Sequence, residues 1–291
     1  MQLLEGLRAE EGKESISVED AKYLCSFCIN NLQHFIEIEA KQLCDDDTTL
    51  FLFANCASKE NLNRQKLFTQ HSEDNPVAVI KACTSKNGKM ISRSKHFDEE
   101  DTPNSTSICR DTKVQITGKN ILPGKGLYNG SIGVVKDIVF SEGHSPNNGD
   151  FPEYVLVDFC QYQGEDVIKE GKESYIPIVP VKVRCKYQCC TQKFIPLQLS
   201  YAKTVHTFQG QNAGPVRKEQ PENPVQRIIC DPGTKDFEGH HPGLFYTILS
   251  RATTMGTETD KMSSAIYFHG TNMTPEQVMN ITTGYHNRPF K

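Results

Sequence analysis

The sequence predicts an α/β domain that is interrupted by an inserted all-β module and preceded by a helical segment. Short, continuous apolar runs occur near both ends of the chain and are typical of strands buried on both faces of a parallel sheet. Alternating runs between residues 113 and 193, separated by Gly, Pro and Asn, indicate short antiparallel strands. Apolar residues at three- and four-residue spacing before residue 45 indicate helices.

The first segment, residues 1–45, is expected to be helical. Ser17, followed by Glu19 and Asp20, is typical of a helix start because acidic side chains favour the first turn. The apolar positions with helical spacing after it are Tyr23, Leu24, Phe27, Cys28 and Leu32. The run at 49–54 then predicts a buried strand, and the spacing at 59–67 predicts a helix.

The middle of the chain changes character. Residues 84–112 are mostly polar and are expected to form a surface loop. The strands expected after it are 114–117, 133–140, 154–159 and 176–181. Four short strands in about 80 residues indicate a small β-barrel or curled sheet, so residues 113–193 are taken as an inserted β-barrel-like module.

Helical and buried-strand character returns after residue 196. The sequence predicts a strand at 228–230, a helix at 244–250 and a strand at 265–268. Residues 46–112 and 194–291 are therefore expected to form one α/β domain around the insertion.

Composition limits the class of protein. A net charge of −4 argues against a protein that coats nucleic acid by bulk charge, although a local basic groove is compatible with it. No apolar run approaches the roughly 18 residues of a membrane span, and the N-terminus lacks a signal-peptide pattern. We expect an intracellular protein that does not enter the membrane.

A polar turn follows the apolar positions of the segment LSYAKTVHTFQGQ, residues 199–211. Thr204, His206 and Gln209 are placed to present donors at one edge of the sheet, and Gly210 lets backbone amides approach a phosphate closely. A purely structural turn is the alternative. Arg251 ends the apolar segment 244–250, where it either compensates a helix dipole or acts as an arginine finger.

Taken together, these segments resemble the PIF/RecD-like group of superfamily 1 DNA helicases. SYAKTVHTFQGQ is similar to their motif V, FYTILSRATT to motif VI, and TTLFLFANCASKENLNRQKL to motif IV. KNILPGKGLYNGSIGVV is similar to the Gly-rich entry of the β-barrel inserted in their second RecA-like domain. The resemblance covers roughly residues 46–270 and implies a RecA-like second motor domain.

The resemblance also implies roles for individual residues. Arg251 corresponds to the catalytic arginine finger, and Gln209 with Gly210 to the residues that couple ATP to the nucleic-acid track. The positions expected to contact single-stranded DNA are Thr204, His206 and Asn55. Two positions depart from the family pattern: Thr207 stands where Lys is common, and Phe208 replaces a small residue. We expect Phe208 to pack in the interior, with stacking on a base as the alternative.

The 291 residues contain no P-loop, because none of the five Gly-Lys pairs is followed by Ser or Thr. The acidic run 98–100 follows a polar stretch rather than the buried strand of a Walker B pair, and is expected to be a solvated loop. By resemblance the cofactors are ATP and Mg²⁺, held mainly by an N-terminal lobe. We therefore expect a helicase fragment: a truncated gene model, a decayed copy or half of a split enzyme. The family implies nuclear or mitochondrial residence.

Two other functions stay open. One is a non-catalytic module that binds single-stranded nucleic acid, favoured by a basic stripe with interleaved aromatic residues: Lys182, Arg184, Lys186, Tyr187, Lys193 and Phe194. A solvated strand face explains the stripe equally well. The other is a zinc-stabilised interaction domain, suggested by the cysteines at 25 and 28 and at 185, 189 and 190. These five cysteines are expected to be small buried hydrophobes, with no metal site.

Overall fold

The computed structural model describes residues 16–30, 35–92, 96–97, 102–118, 120–164, 168–170, 173–215, 223–231, 243–257, 259–269 and 273–283. The chain divides into two compact units. The α/β unit comprises residues 1–61 and 202–291, and the β unit comprises residues 62–201. Among the described helices, none has the length and apolar character needed to cross a bilayer.

The helices and strands of the described residues are numbered here in chain order. The helices are α1 (Val18–Cys25), α2 (Glu37–Asp45), α3 (Cys56–Gln70), α4 (Leu244–Arg251) and α5 (Pro275–Thr283). The first eight strands are β1 (Thr49–Phe53), β2 (Ala78–Lys81), β3 (Cys83–Lys86), β4 (Lys89–Ile91), β5 (Ser105–Ile108), β6 (Lys113–Ile116), β7 (Ile132–Val139) and β8 (Tyr154–Asp158). The remaining strands are β9 (Ile168–Glu170), β10 (Glu173–Ile178), β11 (Val181–Arg184), β12 (Thr191–Phe194), β13 (Leu197–Leu199), β14 (Ala202–Thr204), β15 (Arg227–Cys230) and β16 (Ile266–Phe268).

The α/β unit is built on a four-stranded parallel sheet with the order β14-β1-β15-β16. In the central strand β1, Leu50 and Leu52 are completely buried, as the continuous apolar run at 49–54 predicts. β15 and β16 also lie where the sequence predicts strands. A parallel sheet with helices confirms the predicted α/β, RecA-like fold class of this unit.

The described residues of the N-terminal segment form the helices α1 and α2 but are not helical throughout. α1 begins where predicted, because the Ser17 hydroxyl accepts a hydrogen bond from the Asp20 amide at 3.0 Å. The chain then leaves the helix, and residues 27–29 pair with the end of β16: the amide of Ile29 donates to the carbonyl of Phe268 at 2.9 Å. The expected helical spacing at Phe27 and Cys28 is therefore wrong, since sheet pairing takes over there. Residues 1–15 and 31–34, including Leu32, lie outside the described residues.

The β unit contains antiparallel sheets. A six-stranded sheet has the order β13-β6-β7-β8-β10-β9, a four-stranded sheet has the order β11-β12-β3-β4, and β2 pairs with β5. The apolar core includes Val114, Ile116, Val155, Val157 and Leu197, all fully buried. The unit spans residues 62–201, wider than the 113–193 expected for the inserted module, because β2 to β5 belong to its sheets.

The expectation of a loop at 84–112 is wrong for part of that segment. It contains β4, β5 and most of β3. Its polar composition conceals strands because the hydroxyl groups find partners: buried Thr106 donates through Oγ1 to the carbonyl of Leu197 at 3.1 Å. Residues 98–101 lie outside the described residues, and with them the acidic run 98–100.

Candidate functional site at the edge of the parallel sheet

The carboxyl ends of β14, β1, β15 and β16 share one edge, because the four strands are parallel. In open α/β sheets this edge is the usual place for ligands. Thr204 ends β14 directly opposite Phe53, the last residue of β1, and Asn55 follows two positions later. The fold thus brings two of the predicted nucleic-acid contacts, Thr204 and Asn55, to neighbouring strand ends.

Asn55 is exposed and begins α3. Its carboxamide oxygen accepts a hydrogen bond from the amide of Ser58 at 2.8 Å, which satisfies one of the free donors of the first helical turn. Helix capping alone therefore accounts for an Asn at this position. A contact with single-stranded DNA remains a prediction.

Thr204 and His206 differ in exposure. Thr204 is only 4% exposed, and its hydroxyl lies 3.1 Å from that of Thr207, which also donates to the carbonyl of Thr204 at 2.9 Å. His206 is exposed at the start of a short 3₁₀ turn, His206–Phe208. The surface at this strand end is thus formed by His206 and Thr207, with Thr204 beneath them.

The segment after β14 makes a tight turn that ends at Gly210. The amide of Gln209 donates to the carbonyl of His206 at 3.3 Å, and Gly210 has φ +83°, a conformation that other residues adopt only with strain. Gln209 and Gly210 are both exposed. Phe208 is fully buried beneath them, so the expectation that it packs in the interior is confirmed.

Arg251 is the last residue of α4, whose buried face is apolar. The guanidinium donates from Nη2 and Nε to the hydroxyl of Ser250, at 3.1 and 3.3 Å. The side chain is partly exposed, and no acidic partner is recorded for it among the described residues. Its planar fork is therefore positioned by a neighbouring hydroxyl group.

The chain segments that follow Gly210 and Arg251 pair with each other. Ala213 donates to the carbonyl of Arg251 at 2.9 Å and accepts from the amide of Thr253 at 2.8 Å. Gly214 continues this approach, since a Cβ there would lie 1.7 Å from Oγ1 of Thr253. Backbone hydrogen bonds of Ala213 thus connect the segment that follows the predicted coupling residues, Gln209 and Gly210, to the segment that carries the predicted arginine finger, Arg251.

Comparisons with known proteins show which proteins the chain is similar to. No family model matches the chain. It is 26% identical over 248 residues to the ATP-dependent DNA helicase Pif1 of Campylobacter jejuni, covering 80% of this chain and 47% of that protein. The chain thus spans about half the length of the curated relative that it matches.

Solved structures give the same result for the fold. The Pif1 helicase from Candida albicans superposes with a TM-score of 0.58 at 15% identity, over 94% of this chain and 53% of that one. Bacteroides Pif1 bound to ssDNA gives 0.54 at 14% identity, over 95% and 50%. The chain is Pif1-like in sequence and fold. The region it resembles is the C-terminal one.

One buried polar residue of this candidate site was missed by sequence reasoning. Lys203 is 1% exposed within β14, and its Nζ donates to Oε1 of Gln211 at 3.1 Å, across the turn that carries Gly210. A lysine within a short strand, β14, was the available signal, because a buried ammonium group requires a partner. The hydrogen bond of Lys203 thus joins Gln211, at the end of the turn, to β14, the strand before the turn.

The basic stripe lies in the β unit, but its basic and aromatic residues do not all lie on one face. Lys182 stands directly opposite Lys193 on the neighbouring strand, and Arg184 occupies the same face. Phe194 is buried on the other face, whereas Tyr187 is 70% exposed. Like charges directly opposite each other destabilise a strand pair, and Nζ of Lys193 lies 4.3 Å from the centre of the Phe151 ring.

The cysteines at 25 and 28 behave as small buried hydrophobes. Both are buried, and burial together with the neighbouring Cys28 thiol raises the pKa of Cys25 to about 11. Among the described residues, neither cysteine belongs to a group of three or more His, Cys, Asp or Glu side chains that could hold a metal ion. This pair gives no support to the zinc hypothesis.

Proposed function

We propose that the chain is the second motor lobe of an ATP-dependent DNA helicase and that its arginine finger completes a nucleotide site held by another lobe. One observation carries the proposal: the backbone after Gly210, a residue that follows the carboxyl end of β14, pairs with the backbone after Arg251. Such pairing would transmit a movement at the γ-phosphate to the turn that starts at His206. The C. jejuni relative, which is named an ATP-dependent DNA helicase, supports the same function.

The residues present fit one part of an ATP site. Arg251 offers a planar cation that stabilises the charge developing on a transferring phosphoryl group. The chain has no Gly-Lys-Ser/Thr loop, so the phosphates and Mg²⁺ would be held by the other lobe, which supplies the cradle. Gln209 and Gly210 are both exposed and would sense whether the γ-phosphate is present.

On the nucleic-acid side, His206 and Asn55 would contact single-stranded DNA, since both are exposed at neighbouring strand ends. Thr204 would act indirectly, by holding Thr207 in the turn. Bacteroides Pif1 bound to ssDNA supports this assignment by its similar fold. Closure of the two lobes on ATP would then move the strand.

The experiment joins this chain to the P-loop lobe of a Pif1 helicase and measures ATP hydrolysis stimulated by single-stranded DNA. Arg251→Ala is expected to lower kcat by about 10³-fold or more, as for other arginine fingers. Arg251→Lys should rescue little, because Lys keeps the charge and loses the fork. Arg110→Ala is the matched control, since that guanidinium donates to the carbonyl of Asp74 in the β unit. Equal hydrolysis by the Arg251→Ala and unmodified fusions would exclude the finger.

The basic face of β11 and β12 favours a second function, a non-catalytic module for single-stranded nucleic acid. Lys182 and Arg184 are exposed together on that face. In that case the chain alone would bind single-stranded DNA with an affinity that falls with salt and ignores ATP. Absence of binding at low salt would rule this function out.

A further inference from the structure

Three cysteines lie in the turn between β11 and β12. Two backbone hydrogen bonds close the turn. The amide of Cys185 donates to the carbonyl of Cys190 at 3.0 Å, and the amide of Gln188 donates to the carbonyl of Cys185 at 2.8 Å. Gln188 has φ +56°, which tightens the turn. The sulfurs of Cys185 and Cys189 are 3.5 Å apart, and those of Cys189 and Cys190 are 3.7 Å apart. The turn therefore gathers three thiols at one point.

His96 joins them from a segment 93 positions before Cys189, with its Nδ1 3.2 Å from Sγ of Cys189. The ligand atoms of the four residues all lie within 4.8 Å of one another. Phe97 packs against Cys185 and Cys190, and the His96 ring meets Tyr187 edge to face at 4.8 Å. The His96 imidazole thus contacts both the Cys189 thiol and the Tyr187 ring.

Three of the separations among these atoms are close to those of a tetrahedral zinc site. With Zn–S near 2.3 Å and Zn–N near 2.0–2.1 Å, tetrahedral angles put ligand sulfurs about 3.8 Å apart and nitrogen about 3.6 Å from sulfur. The measured separations of 3.5, 3.7 and 3.2 Å are each within about 0.4 Å of these values. Small side-chain movements would seat the ion.

We propose that His96, Cys185, Cys189 and Cys190 bind one zinc ion in a closed structural site of the β unit. Three thiolates and an imidazole form one of the usual donor sets of structural zinc. Four protein ligands leave no position for water, so the ion would be structural rather than catalytic. The thiols release their protons to the solvent as the Zn–S bonds form, and no electron is transferred.

The ion would connect two parts of the β unit that are distant in sequence. It would join the segment 96–97, between β4 and β5, to the β11–β12 turn, next to the exposed Lys182 and Arg184. A metal ion whose ligands come from both ends of a long loop stabilises the folded state by closing that loop. The site would hold the basic face in a fixed shape. This inference is independent of the proposed helicase function.

The test begins with the full chain purified under reducing conditions with zinc in the medium. Elemental analysis after dialysis is expected to give about one zinc per chain. Replacement by cobalt should give a thiolate-to-cobalt charge-transfer band and the d–d bands of tetrahedral coordination. Cys185→Ser and Cys190→Ser are expected to lose the metal. Cys160→Ser is the matched control, because Cys160 is exposed and outside the four-residue group.

His96→Ala keeps the test decisive if the cysteine variants fail to fold, because His96 is exposed and its loss leaves the core intact. This variant should keep its circular dichroism spectrum and lose zinc to a weak chelator that leaves the unmodified chain loaded. Four results would each overturn the proposal: no zinc in the unmodified chain; equal loss from Cys160→Ser; full retention by His96→Ala; or iron with labile sulfide in place of zinc. A disulfide between Cys185 and Cys189 in the reduced preparation would overturn it as well.

Discussion

The two units bury different kinds of side chain at their centres. In the α/β unit, the central strand β1 places Leu50 and Leu52 in an apolar interior. In the β unit, Thr106 of β5 is also buried, and its Oγ1 donates to the carbonyl of Leu197 at 3.1 Å. Apolar burial stabilises wherever neighbours exclude water, whereas polar burial stabilises only when each group finds its partner. β5 of the β unit thus depends on specific pairing in a way that β1 of the α/β unit does not.

The largest expected effects test whether the units are separate in stability. Leu52→Ala and Ile116→Ala each empty a fully buried site in a central strand, one in each unit, and each should cost about 3 kcal/mol. Amide hydrogen exchange should show lower protection mainly in the α/β unit for the first and mainly in the β unit for the second. If either substitution lowers protection equally in both units, they unfold as one and the comparison fails.

The same difference explains what the sequence could predict. The run at 49–54 and the segment at 244–250 match β1 and α4 to within two residues, because continuous apolar patterns follow directly from burial. β5 was missed because Ser105 and Thr106 have the composition of a loop, and only their partners across the sheet make them a strand. Local pattern therefore predicts the α/β unit better than the β unit.

The sites show the same limit. The predicted residues Thr204 and Arg251 are in recognisable motifs, but the pairing of Ala213 with Ala252 that connects those motifs has no local signal. The spacing of Cys185 and Cys189 is visible in the sequence, whereas His96 stands 93 positions before Cys189 with nothing nearby to mark it. Tertiary pairing, rather than residue type, brings these groups together.

A medium effect is expected at the connection between the two motifs of the α/β unit. Gly214→Ala places a methyl group against Oγ1 of Thr253 and should cost about 2 kcal/mol of unfolding free energy. Thr253→Ala in the same chain removes the clashing oxygen. The double variant should therefore recover about 1 kcal/mol relative to the sum of the single changes. Urea denaturation of the four proteins measures this coupling, and strict additivity would mean that the two residues do not meet.

The smallest expected effect compares one ion pair in each unit. Asp46 accepts from Nη1 of Arg227 at 2.6 Å, whereas Nζ of Lys136 lies 3.9 Å from Asp158 on a more exposed surface. Burial alone would raise the pKa of Asp46, but hydrogen bonds from Thr48 and the charge of Arg227 outweigh it and lower that pKa. Asp46→Asn should cost about 1 kcal/mol at neutral pH, and Asp158→Asn less than about 0.5 kcal/mol.

The pH dependence of the Asp46 effect follows from the direction of its pKa shift. Because the folded pKa is the lower one, the stabilisation is fully present above the unfolded pKa of about 3.9 and is lost as the pH falls through the folded pKa. The deficit of Asp46→Asn in urea denaturation should therefore be constant above about pH 5 and shrink below about pH 4. A deficit that stays the same in acid would show that Asn loses packing rather than charge. An equal deficit for Asp158→Asn would show that the partly buried pair of the α/β unit has no advantage over the surface pair of the β unit.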